Sequence, residues 1–167
     1  MLVLALGFVG GVAQAHGGGT PQLTNVRVGP YGVFVWTQPE PLRVGVVHLT
    51  VAVAEPLTPS AGQSVEAGPP VLNAAVQLEL KPLDQPDQIL IVPATHQAAV
   101  NKFFYEVDLD LPAAGQWEVK VLVNGPAGAG DARFEVEVLP PATFTGWFLG
   151  GGLAVVLLAF GWVIRRV

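Results

Sequence analysis

Three histidines carry most of the chemistry open to this chain of 167 residues. His16 is the sharpest candidate. It follows Ala13-Gln14-Ala15, a small-x-small sequence of the kind signal peptidase cleaves, and the apolar run Leu2–Val12 before it is too short to span a bilayer. Residues 1–15 therefore read as a signal peptide. The run lacks a Lys or Arg ahead of it, and an uncleaved N-terminal anchor is the alternative. Cleavage after Ala15 makes His16 the first residue of the mature chain. Its free amine and ring nitrogen can then chelate one metal ion, an arrangement suited to Cu(II). An α-amino group with a pKa of about 7.7–8.0 gives up its proton readily on binding. Against this stands an incidental histidine on the mobile-looking Gly17-Gly18-Gly19 tail.

His96 lies in Pro93-Ala94-Thr95-His96-Gln97, read as an exposed loop before a strand, and is a candidate second ligand. His48 lies in Val46-Val47-His48-Leu49-Thr50-Val51. Alternation puts Leu49, Val51 and Val53 on one face and His48 on the other with Val46 and Thr50, so His48 reads first as a sheet-surface histidine and second as a metal ligand. The tail His16–Gln22 can extend about 20 Å and reach several places on the domain.

Other chemistry is poorly served. The absence of cysteine excludes disulfides, thiolate zinc sites, iron–sulfur clusters and a thiol nucleophile. Met1 is the only methionine, so a methionine-lined Cu(I) site is not available. No His-Glu-x-x-His, phosphate-binding loop, dinucleotide glycine pattern or serine–acid–histidine spacing occurs, so an enzyme is not expected. Asp108 and Asp110 share a strand face and read as solvated rather than as a catalytic pair. A net charge of −5 with no basic run argues against nucleic acid as the partner.

The elements that must position these residues are strands. Twenty glycines and fifteen prolines favour strands and turns over long helices. Period-two alternation marks Val76–Leu80, Phe103–Leu111, Trp117–Val123 and Phe134–Val138, each with one buried and one wet face. Tyr31–Thr37 and Val44–Ala54 are richer in β-branched residues, Leu23–Val28 adds a strand, and Ile89–Val92 a short one. The breaks are Gln38–Pro41, Glu55–Pro70, Pro82–Pro86, Pro112–Gly115 and Asn124–Gly130. Seven or eight such strands predict an all-β, Ig-like antiparallel β-sandwich spanning 16–142.

A hydrophobic content of 51% with only 13% charged residues is high for a soluble domain, and the excess lies near the C-terminus. Phe144–Ile164 carries no charge and, at about 1.5 Å per residue, is long enough to cross the hydrocarbon core. Pro140-Pro141 precede it, Trp147 and Trp162 sit near its ends, and Arg165-Arg166 follow. Basic residues stay on the cytoplasmic side, so 143–164 reads as a single transmembrane helix, 165–167 as a cytoplasmic tail and the sandwich as outward-facing. Gly146 and Gly150 form a G-x-x-x-G pair, and Gly150-Gly151-Gly152 make one helix face very small, which would let a partner helix approach closely.

Pro41-Leu42-Arg43-Val44-Gly45 before a long strand, Val71-Leu72-Asn73-Ala74-Ala75-Val76, and Leu111-Pro112-Ala113-Ala114-Gly115-Gln116-Trp117-Glu118-Val119 together resemble the YtkA/FixH-like family. These are small bacterial Ig-like domains at the outer face of the membrane. The likeness covers roughly residues 30–138. That family, and the similar CopC-like proteins, imply copper handling in the periplasm or assembly of copper-containing oxidases. CopC-like mature chains begin with histidine, which adds weight to His16. The Asp-x-His element common in CopC-like sites is missing here, so the resemblance leaves copper to His16 with one or two other groups. Two functions follow: a membrane-anchored copper-binding module, and an accessory subunit docking on a larger membrane complex through its helix and sandwich surface.

Overall fold

The computed structural model describes residues 19–55 and 68–142. The expected signal peptide, His16, the transmembrane helix with its glycines and the basic tail lie outside these residues. Eight strands form: β1 (Thr20–Val28), β2 (Tyr31–Gln38), β3 (Gly45–Ala54), β4 (Ala75–Pro82), β5 (Leu90–Ala94), β6 (Tyr105–Leu111), β7 (Gly115–Gly125) and β8 (Gly128–Val138). They make two four-stranded antiparallel sheets, in the orders β1-β2-β3-β6 and β5-β4-β7-β8. The described residues contain no helix. The expectation of two antiparallel sheets packed face to face is met.

Alternation is the cause. Each strand points every second side chain inward, and Val33, Val35, Leu49, Val51 and Val53 of the first sheet meet Leu78, Leu80, Trp117, Val119 and Val121 of the second in one buried core. The differences from the sequence reading are local. β1 starts at Thr20 rather than Leu23, because register shifts on both sides of Leu23 and a left-handed Asn25 (φ 52°) let it continue through a bulged edge. β6 starts at Tyr105 rather than Phe103, because the Asn101 side chain accepts from the Phe103 N–H and its carbonyl from the Phe104 N–H, holding that segment in a turn. Asn124–Gly130 is not a loop: β7 and β8 pair out to Gly125 and Gly128, leaving a two-residue turn with Gly128 at φ 139°.

The sheets are stapled by Tyr105, which is almost fully buried. Its hydroxyl donates to the Val71 carbonyl (2.9 Å) and accepts from the Ala74 N–H (3.0 Å). Tyr105→Phe strands both backbone groups and is expected to cost about 1–3 kcal/mol in a urea titration. Burial pushes the phenol above its ordinary value, outweighing the bond from Ala74. This contribution is complete below the unfolded value of about 10 and is lost as pH rises through the raised folded value. The wild type should therefore lose stability in alkali more steeply than Tyr105→Phe.

Candidate metal centre

The outer faces of the two sheets differ in kind. On the second, Lys81 pairs with Glu118 (2.9 Å) and Lys120 with Glu79 (3.2 Å), so this ladder of charges satisfies itself. The hydrogen bond from Lys81 holds the surface carboxyl of Glu118 below the usual range.

On the first sheet, register builds transverse rows. One row runs Gln38–His48–Asp108, the next Trp36–Thr50–Glu106, and Phe34 and Ala52 pair in the row beyond. His48 is therefore flanked by two carboxylates from β6. Its Nδ1 lies 2.8 Å from Asp108 Oδ1, and its Nε2 lies 3.2 Å from Thr50 Oγ1 and 3.7 Å from Glu106 Oε2. An ionised carboxylate only accepts, so Nδ1 carries the proton toward Asp108 and Nε2 presents a lone pair that the Thr50 hydroxyl can meet. This is how a carboxylate orients a metal-ligating histidine from behind.

Glu106 is the residue that sequence reasoning missed. Alternation places it with Asp108 and Asp110 on a wet face. Yet it is only 8% exposed, set between Thr50 and the isolated bridge to Thr95 and two residues from Phe104, which packs on Trp36. Phe104 and Trp36 were the available signal: aromatics on the same outer face can cover a neighbouring carboxylate.

The three predicted histidines are not gathered together. His48 stands on the outer face as expected. His96 lies just past β5, stacked against Tyr105 with ring centroids 3.9 Å apart, and Tyr105 points into the core, so the first sheet separates it from His48. Its Nδ1 is 2.8 Å from the Phe104 carbonyl oxygen and its Nε2 is 2.9 Å from that of Leu72. Both ring nitrogens thus face backbone carbonyl oxygens at hydrogen-bond distance, which leaves neither open to a metal ion. His16 lies outside the described residues. Among the described residues no group of three or more His, Asp or Glu is arranged to hold a metal ion. The two carboxylates explain this, since they face different nitrogens of the one imidazole.

The described residues thus form an eight-stranded sandwich of two antiparallel sheets, with His48 on the polar part of one outer face. Its fold is similar to that of the copper-reconstituted P19 protein of Campylobacter jejuni, with a TM-score of 0.51 at 10% identity over 73% of this chain and 97% of that one. The soluble domain of PmoD from Methylocystis sp. ATCC 49242 (Rockwell) aligns over 69% of this chain and 97% of its own, at 14% identity and a TM-score of 0.44. No family model and no curated protein matches the chain.

Proposed function

We propose that this protein is a membrane-anchored, outward-facing module that binds Cu(II) and passes it to a partner at the membrane, and that it binds rather than transforms. The ion is held by the amine and imidazole of a terminal His16 and by Nε2 of His48. The observation that carries this reading is the register of β1. Thr20 pairs with Thr37, so Gly19 falls opposite Gln38, which pairs in turn with His48. Gly19 packs on Thr37 and Gln38, and the Thr20 hydroxyl bonds the Glu40 carboxylate, which fixes the start of the strand. Two strand spacings separate Gly19 from His48, about 10 Å. Three residues of extended chain span a similar distance, about 10 Å, so His16 can meet His48 without moving the sheet. The fold likeness to a protein solved with copper supports the choice of metal.

The exit of the chain supports delivery. Leu139 bonds Leu42 and Val44, so the segment leading to the apolar C-terminal stretch leaves beside the start of β3. His48 is three residues along that strand from Gly45, about 10 Å from the exit.

The test is a Cu(II) titration of residues 16–142 with a free N-terminus against the same chain extended by one alanine. Tight binding lost on extension is expected, because only the terminal amine changes. Equal, weak binding by both rejects copper at His16.

A second reading, an accessory subunit of a larger membrane complex, is favoured by the aromatic group on the same face. Phe34 stacks on Trp36 (5.9 Å), Phe104 packs beside them, and Phe103 is 55% exposed. Purification in mild detergent tests it: a stoichiometric complex supports this role, held through the glycine face at Gly146, Gly150, Gly151 and Gly152, and a stable monomer opposes it.

A further inference from the structure

We infer that the aromatic end of the first outer face is a docking groove for a protein segment of defined chemistry. That segment carries a large apolar side chain and, about four or five residues along, Lys or Arg. The inference deepens the subunit reading, on which it rests, and is independent of copper. Parity and one small residue build the groove. β2 turns Phe34 and Trp36 outward, and β3 sets only Ala52 opposite Phe34. The loop between β5 and β6 supplies the rest, so that Phe34, Trp36, Pro70, Asn101, Phe103 and Phe104 line an open groove of about 440 Å³. Phe34 and Trp36 lie within 6° of parallel, and Phe104 tilts by 54° against Trp36. The loop is held by its own bonds. Lys102 Nζ donates to the carbonyls of His96 (2.8 Å) and Ala99 (2.6 Å), and the Asn101 side chain accepts from the Phe103 N–H. It leaves Phe103 55% and Val100 96% exposed. Apolar side chains fixed in water beside an aromatic groove mark a protein-contact patch.

Charge selects the occupant. Among the described residues no Lys or Arg lines the groove. Lys102 is turned onto its own loop, and Arg27, on the edge strand β1, onto the Gly29 carbonyl (3.3 Å). Toward Gly45 the same face becomes acidic, with Asp108 and Asp110 both exposed. Neither pairs with a described Lys or Arg, whereas Glu79 and Glu118 on the other outer face do. From Trp36 these two carboxylates lie two strands across and two and four residues along, about 12–17 Å away. Four or five residues of extended chain, at about 3.3 Å each, cover that span. A second copy brings the same carboxylates to the contact, and like charges across an interface are costly. An anionic lipid surface is repelled for the same reason. The groove also sits at the Ala54 end of β3, about 30 Å from the Gly45 end beside which the chain leaves toward 143–164.

The test presents the full chain, in phosphatidylcholine nanodiscs with a chelator present, to a random peptide library displayed on phage. Selected peptides are expected to pair an aromatic or large aliphatic residue with Lys or Arg about four or five residues away. A synthetic peptide of that pattern is expected to bind Trp36→Ala about 30-fold more weakly, the scale of an aromatic hot spot. Phe103→Ser, a change outside the core, is expected to weaken it at least about fivefold. Asp108→Asn combined with Asp110→Asn should slow association and flatten its salt dependence, with dissociation near that of the wild type. No enrichment, peptides without basic residues, or equal affinity for the wild type and both aromatic variants overturns the inference. Recruitment to phosphatidylglycerol vesicles, or a dimer, that Trp36→Ala abolishes also overturns it, by assigning the groove to lipid or to a second copy. A stoichiometric complex in mild detergent that survives Trp36→Ala keeps the subunit reading and overturns the groove as its dock. Peptide binding of the expected pattern with no co-purifying complex upholds the groove and removes the subunit reading.

Discussion

Trp117→Ala is expected to cost about 3–5 kcal/mol of folding stability, the range for removing a large aromatic from a packed core. Trp117 is 1% exposed on β7, between Pro82 of β4 and Val136 of β8. Its indole Nε1 donates to the Ala113 carbonyl (3.1 Å), which closes the turn from β6 into β7. Alanine opens a cavity and strands that carbonyl, whereas Trp117→Phe retains most of the apolar contact and loses the bond. Urea unfolding should therefore rank the variants wild type, Phe, Ala, with the second step larger than the first. The turn matters to the site because β6 carries both Glu106 and Asp108. A Trp117→Ala loss below about 1 kcal/mol would mean that the indole does not anchor the turn that carries the chain from β6 in one sheet to β7 in the other.

The sandwich was legible because its signal is local and repeated. The alternation of Trp117, Val119, Val121 and Val123 with Gln116, Glu118 and Lys120 states which side is buried, and the core contains the four apolar ones. The outward placement of His48 followed from the same parity. Which strands neighbour one another is not local. The chain leaves β3 for β4 and β5 in the other sheet before returning as β6, and nothing in the period-two pattern says that His48 will stand between Gln38 of β2 and Asp108 of β6 rather than beside a residue of β4. Glu106 was hidden for a related reason. Parity assigns it to the outer face, but it is nearly covered where it stands beside Thr50, at the Thr95 bridge and two residues from Phe104, a placement made across the fold. His96 illustrates the converse, since a loop position suggested a free side chain while the fold spends both ring nitrogens on backbone carbonyls.

His48→Ala is expected to weaken Cu(II) binding by the mature chain about 100-fold or more, and Asp108→Ala about tenfold, at the low end of the range for outer-shell partners. His48 supplies a donor atom under the proposed reading. Asp108 supplies none. It fixes the ring tautomer through the 2.8 Å contact to Nδ1, and its side chain is 70% exposed, so water can partly take over that role. Neither substitution touches the core, and apo stability should change by less than about 0.5 kcal/mol for Asp108→Ala. Asp110 is the control. It lies on the same face of β6, opposite Val46, and carries the same charge without contacting the imidazole. If Asp110→Ala weakens binding as much as Asp108→Ala does, and both losses vanish at high salt, then Asp108 acts only as part of a diffuse negative field. A loss specific to Asp108 that persists in salt identifies the carboxylate behind the ring as the group that keeps His48 ready for the metal.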